Sequence, residues 1–504
     1  MSRHSLGRVR HALLFAAVLG AAGIATSAAP PATSSSPQSR AGAAKLVRDA
    51  CALVEPVELP SSLAAAVSPG FKWKHRKLGA GSMPAIAASA AGEPHVVFQS
   101  EYNETTGERD LVHAWRVGSA WHSETIDAPF PAYIEDSTAV AIGSDGVLHV
   151  AYVTYDPTTY SGELRYARDA GAGWQIETVE AGGGSASIAV DEAGVPHILH
   201  LVGYPGDDVR YLTREPEGWT GEVIGDTSYP NFGSALRVHD SKVYAVYMDF
   251  NGLETLAIRD GGRWTTDVVA SGNSCALAMD AEGRPHMAYI GWGNGFEVIH
   301  SVLTESGWTH ETLVDETSLF GEPAPQGIAF EPYAPALTQD SAGRVRLAFG
   351  LGVWKGNAFD SVLTVAFLDE GAWVPSMAGK GRMGFGNSIA ADAAGVVHVA
   401  TTKITPGDPG KFSMHEYSLR GSKLSLKVVP EGSGTIVAAP LGVETTGKVG
   451  VSVLKGDTVT LTAAAGEGFA FSGWSGAISG ADPTMELSMD HSHKVTAHFV
   501  PTEP

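Results

Sequence analysis

The 504-residue chain is poor in cysteine, in positive charge and in long apolar runs, and each shortage removes a class of protein. Two cysteines, Cys51 and Cys275, cannot by themselves supply a zinc-ligand spacing or the framework of a disulfide-dense scaffold. A bridge between them is permitted in an exported protein; the apolar surroundings of Cys275 favour a buried free thiol. Lys and Arg total 34 against 55 Asp and Glu, for a net charge of −21, which argues against nucleic acid and anionic membrane surfaces as partners. No Gly-x-Ser-x-Gly elbow, His-Glu-x-x-His pair or phosphate loop occurs. No cofactor is expected. Calcium would suit the Asp-rich loops, although no EF-hand spacing is present.

What the chain has instead is glycine, 60 of them, and a repeated hairpin. Ser187 to Leu201, SIAVDEAGVPHILHL, reads as strand, turn and strand. The Asp opens the turn by accepting backbone N–H groups, and Gly194 supplies the positive φ that closes it. The turn returns at Asp280–Gly283, Asp340–Gly343 and Asp392–Gly395, with looser forms near Gly92, Gly146 and Asp240. Each is followed by a similar strand, opening at His95, His149, His197, Tyr244, His286, Arg346 and His398. The spacing of about 50 residues marks a repeated supersecondary unit that buries its faces against its neighbours. A third strand and a Gly-rich turn then lead to Trp121, Trp174, Trp219, Trp264, Trp308 or Trp373 and a fourth strand.

Four antiparallel strands repeated seven times describe an all-β, seven-bladed β-propeller over residues 70–421. The seventh hairpin has no Trp strand after it, whereas Trp73 stands before the first hairpin without a blade. The N-terminal strand is therefore expected to complete the last blade and close the ring. The repeat resembles the propellers of the sialidase-like, BNR-repeat superfamily. The turn before Trp keeps the Asp, Gly and Trp of the sialidase Asp-box in Arg259-Asp260-Gly261-Gly262-Arg263-Trp264, but not its Ser or spacing. The resemblance implies the architecture and leaves the enzyme in doubt.

Two segments flank the repeats. Arg3, His4, Arg8 and Arg10 precede an apolar run over 12–25 and small residues at Thr26-Ser27-Ala28, so residues 1–28 read as a secretory signal peptide. That run is short for a membrane span, and none is expected after cleavage. Residues 29–69 read as a linker and N-terminal extension. From Ser422 the pattern changes, with Gly468-Phe469-Ala470-Phe471-Ser472-Gly473-Trp474-Ser475-Gly476 and a closing Thr496-Ala497-His498-Phe499 strand. Residues 422–500 are very similar to the divergent internalin B-repeat, or bacterial repeat, domain. That resemblance implies a small, β-grasp-like module used as spacer or adhesion element on secreted and surface bacterial proteins.

The repeated His could suggest a metal ring, but equivalent positions in adjacent blades lie about 10 Å apart, and a blade-to-blade hydrogen bond is the expected role. The repeated Trp is expected to pack between blades. Function is sought in what does not repeat. The loops joining second to third strands carry Tyr102, Tyr155, Tyr160 and Tyr204, then Trp292 and Trp354, with Asp207 and Asp208 beside them. Aromatic platforms flanked by carboxylates suit sugar rings and hydroxyls. The expected protein is an exported, extracellular or cell-surface, non-catalytic binder of an extracellular glycan or protein. A glycan hydrolase or lyase on the same face and a structural matrix component are the alternatives. Of the arginines, Arg109 and Arg382 are best placed to meet a ligand carboxylate.

Overall fold

The computed structural model describes residues 72–502, apart from short stretches at 132–136, 157–160, 203–206, 228–232, 321–327 and 454–456 and some single or paired loop positions. The signal segment, the extension with Cys51, and Tyr102, Tyr160 and Tyr204 lie outside the described residues.

The repeats resolve into four-stranded antiparallel units. Unit 1 holds the second half of β1 (Trp73–Ala88), then β2 (Pro94–Ser100), β3 (Glu108–Val117) and β4 (Ala120–Pro131). Unit 2 holds β5 (Thr138–Ile142), β6 (Leu148–Asp156), β7 (Ser161–Asp169) and β8 (Gln175–Ala181). Unit 3 is β9 (Gly184–Val190), β10 (Pro196–Val202), β11 (Asp208–Glu215) and β12 (Gly218–Asp226). Unit 4 is β13 (Ala235–His239), β14 (Lys242–Met248), β15 (Leu253–Asp260) and the first half of β16 (Arg263–Met279). The rest of β16 opens unit 5, with β17 (Pro285–Gly291), β18 (Glu297–Thr304) and β19 (Gly307–Val314). A short helix, α1 (Glu316–Phe320), precedes unit 6, which is β20 (Ile328–Gln339), β21 (Val345–Lys355), β22 (Ala358–Asp369) and β23 (Ala372–Lys380). Unit 7 is β24 (Met383–Ala391), β25 (Val397–Thr405), β26 (Asp408–Leu419) and the first half of β1, which pairs Trp73 with Leu419. The first strand of each unit lies beside the first strand of the next, and β24 lies beside β1.

Local chemistry accounts for the hairpins. In unit 3, Asp191 Oδ1 accepts the N–H groups of Ala193 at 2.9 Å and Val195 at 2.8 Å, while Gly194 sits at φ +81°. Asp280, Asp340 and Asp392 make the equivalent contacts to the residue four positions on. The turns also touch one another. A Cβ on Gly343 would overlap the Cβ of Ala281 in the turn of the preceding unit. Gly343→Ala is therefore expected to lose about 2 kcal/mol of stability, from a strained φ of +76° plus the clash. Gly118→Ala, at φ +61° with open space around it, should lose only about 1 kcal/mol. Urea denaturation of the two variants checks the difference.

The repeated His works within its own unit, not between units as expected. His286 Nδ1 meets His300 Nε2 of the third strand at 2.8 Å, and its Nε2 meets Asp280 Oδ2 of the turn at 3.0 Å. His197 bridges Tyr211 and Asp191, and Arg346 replaces it in unit 6 by reaching Asp340 at 2.7 Å. The reason is local: the turn Asp stands six residues before the His across a hairpin, closer than any other unit.

The Trp makes a repeated contact between units. The indole N–H of Trp174, Trp219, Trp264 and Trp308 donates to Glu124, Glu177, Glu222 and Asp267, the residue three beyond the Trp of the preceding unit. Trp73 donates likewise to Ser376 at 2.9 Å. Trp219 and Trp264 also pack edge-on against Tyr166 and Tyr211 of the unit before.

The C-terminal module holds β27 (Ser422–Val429), β28 (Gly434–Ala439), β29 (Val443–Thr445), β30 (Lys448–Val453), β31 (Thr458–Ala465), β32 (Phe469–Gly476), β33 (Thr484–Ser488) and β34 (His493–Pro501). They form two four-stranded sheets around one core that includes Leu426, Ile436, Leu461, Trp474 and Phe499, with β27 and β34 parallel. This differs from a grasp of one sheet around a helix; among the described residues the module has no helix. Phe471 packs against Trp474 and Phe499. Arg344 joins module to repeats through a two-pronged pair with Asp457 at 2.7 and 2.9 Å.

Candidate functional site

The fourth strand carries a β-bulge at the same place in every unit, between the fourth and sixth residues beyond the Trp. A bulge re-aims side chains and is common beside binding sites. The sixth residue is Asp127 in unit 1 and Glu180 in unit 2, but Gly225, Ala270, Val314, Gly379 and Gly79 in the others. The third-strand residue opposite the fourth is Arg165 in unit 2 and Arg210 in unit 3, but Val112, Thr255, Ile299, Thr364 and His415 elsewhere. Acids and arginines are offset by one unit, so each acid faces an arginine across a unit boundary.

Two niches result. In the first, Asp127 Oδ2 accepts Arg165 Nη1 at 3.0 Å and the Tyr152 hydroxyl at 2.6 Å. Arg165 also forks onto Glu163 Oε2. Burial, then the bond to Asp127, pushes the Tyr152 phenol well above its ordinary range, so it stays a donor. In the second, Glu180 takes Arg210 Nε at 2.9 Å and His200 Nδ1 at 2.7 Å. Among the described residues the His200 Nε2 has no hydrogen-bond partner. The arginine and acid side chains are part-exposed in both niches. Both lie where the fourth strand ends and the third begins, so they open on the face that carries the second-to-third-strand loops. A guanidinium fork beside a carboxylate offers donors and acceptors in the pattern that vicinal hydroxyls or an acidic sugar needs.

The residues expected from sequence fall around this face unevenly. Asp208 opens β11 two positions before Arg210, and the exposed Asp207 accepts the Thr227 N–H at 2.7 Å through its carbonyl. Tyr155 lies in β6, opposite Gly162. Trp292 is 46% exposed at the end of β17, in unit 5 and away from both niches. Trp354 is not an open platform: it is 7% exposed, donates to Glu331 and packs tilted against Phe359 with ring centroids 4.5 Å apart. The long β21–β22 hairpin buries its own aromatic residues, together with Tyr333 and Ile404. Arg109 is likewise buried, bonded to Ser82 Oγ and the Ser100 carbonyl, and Arg382 donates its backbone N–H to Asp360. Cys275 is a buried thiol, 3.4 Å from the Gly233 carbonyl.

Residues 424–503 match the family model of the divergent InlB B-repeat domain. No curated protein matches the chain. Among solved structures it is similar to a protein of unknown function from Dyadobacter fermentans at 14% identity, covering 70% of this chain and 100% of that one, with a TM-score of 0.43. A mutant of the Aleuria aurantia lectin in complex with Fucα1-6GlcNAc matches at 14% identity over 60% of this chain and 95% of its own, with a TM-score of 0.39. A fungal alcohol oxidase of the AA5 family, in complex with copper, matches at 10% identity over 86% and 100%, with a TM-score of 0.49. A lectin and an oxidase stand side by side, so the likeness carries no function to this chain. No helix among the described residues is long and apolar enough to cross a membrane.

Proposed function

We propose that residues 70–421 form a closed seven-bladed β-propeller, and that its loop face is a non-catalytic glycan-recognition surface of an exported bacterial protein. The cycle of first-strand neighbours and the sharing of β1 between units 7 and 1 support closure. Export rests on the N-terminal segment, and residues 422–500 serve as spacer or attachment. The observation that carries the recognition reading is the pair of acid–arginine niches at consecutive unit boundaries, at positions every other unit fills with other residues. Folding of the repeat does not require them.

The test is a glycan array probed with the mature full-length chain, followed by titration of the best ligand. Arg165→Ala and Arg210→Ala are each expected to weaken binding at least about tenfold, since a charged hydrogen bond contributes about 1.5–3 kcal/mol. Unchanged affinity in a folded double variant would sink the assignment. Turnover of a bound glycan that disappears in Asp207→Asn or Asp208→Asn would replace the binder with a hydrolase or lyase.

A further inference from the structure

The first strands carry small residues at two alternating levels. Paired across from the second strand, one level reads Ala85, Ala139, Ser187, Ala235, Ala276, Ala336 and Ser388. At the next level five units have Ala, unit 6 has Thr338 and unit 4 has Arg237. Arg237 is thus the one large side chain at either level. Its Nη1 donates to the Leu236 carbonyl at 2.8 Å and its Nη2 to the Leu337 carbonyl at 3.3 Å. Leu337 belongs to unit 6, and the first strand of unit 5 runs between. The outer strands of unit 5 close the other route, so the guanidinium crosses on the axial side. The side chain is part-exposed.

Two carbonyls satisfy two N–H groups and neutralise no charge. Among the described residues no carboxylate pairs with Arg237, and burial alone, with no charged neighbour, pulls its pKa below the ordinary guanidinium range. The remaining N–H donors of a guanidinium form a fork that fits a planar or tetrahedral oxyanion. A part-buried cation without a counter-charge carries a desolvation cost that a bound anion offsets.

We propose that the axial space holds one small oxyanion, a carboxylate or phosphate group, on the Arg237 guanidinium. The site rests on the closed-ring reading and is independent of the glycan niches. The probe is inorganic phosphate titrated into the full chain by calorimetry, with acetate as the carboxylate arm. One saturable site per chain is expected, and whichever anion binds more tightly identifies the headgroup. Arg237→Ala should weaken binding at least tenfold and Arg237→Lys less. Thr338→Asp, which keeps the arginine and supplies an internal carboxylate, should abolish the phosphate-dependent rise in melting temperature. Absence of saturable binding by the wild type, or equal binding by folded Arg237→Ala, overturns the proposal; a phosphate response retained by Thr338→Asp does the same. Closure is read separately by a disulfide between Lys74→Cys and Ser418→Cys, partners across β1 and β26. With that bridge formed, failure to bind phosphate rejects the anion site alone; failure of the bridge rejects the ring.

Discussion

Replacing Glu254 with Leu should stabilise the protein by about 3 kcal/mol at pH 8. In the column that Glu254 occupies, the other units have Leu111, Leu164, Val209, Val298, Leu363 and Met414, all buried or apolar core residues. Glu254 is fully buried, and among the described residues neither carboxyl oxygen has an N–H or O–H donor. The Cys275 thiol beside it is a weak donor and does not make up the loss. Burial pushes the carboxyl up to about 7 from an ordinary 4.5. The sign follows: the folded state holds the proton while the unfolded chain releases it above about 4.5. Stability therefore falls as pH rises from about 4.5 to 7, then stays low. The gain from Glu254→Leu should be large at pH 8 and small at pH 4.5, as read by chemical denaturation. An equal gain at both would show that the folded carboxyl is not held protonated.

His398→Ala should be the most damaging of the single hairpin substitutions, at about 3–5 kcal/mol near pH 6. His398 is fully buried between Asp392 Oδ2 at 3.4 Å and Glu416 Oε1 at 3.0 Å. Burial pulls its pKa down, but the bonds to Asp392 and Glu416 outweigh burial and the net shift is upward. The equivalent His95, His149, His197 and His286 all shift the other way, burial being the largest cause. They meet a neutral hydroxyl or imidazole on the third strand, whereas His398 meets a buried carboxylate. A raised folded pKa means that the stabilisation is complete below about 6.5 and is lost as pH climbs through the folded value. The variant leaves two buried carboxylates without their cation. Denaturation at pH 6 and pH 9 should show the larger loss at pH 6; equal losses would assign His398 a packing role only.

What repeats was legible in the sequence. The Asp-x-x-Gly turn, the strand behind it and the Trp strand recur because every unit needs them. Counting them placed the Trp73 strand against β26. The direction of the His bonds was not legible, since equivalence between units says nothing about which neighbour is nearer. Trp354 misled because composition does not say how far a hairpin extends before its loop begins. Arg165 and Arg210 lie on strands, and nothing in the loop composition points to them. A column-by-column alignment of the units, anchored on each Trp, would have exposed them together with Asp127, Glu180, Glu254 and Arg237. Tertiary offset still had to come from coordinates: the acid of one unit serves the arginine of the next.

The Trp73–Ser376 bond joins residues 303 apart, and the leading half of β1, from Trp73 to Ala80, pairs only with β26. Considered in time, the leading half of β1 is made early and paired late, after its second half has already met β2. Until about 420 residues exist, the leading half of β1 is an open edge, and closure of so long a loop sets a slow final step. On the proposed closed-ring reading, a chain truncated anywhere within unit 7 should therefore fail as a whole and not merely lose one unit. Holding the nascent edge unpaired, in whichever compartment the chain folds, becomes a task for the cell before any ligand is met.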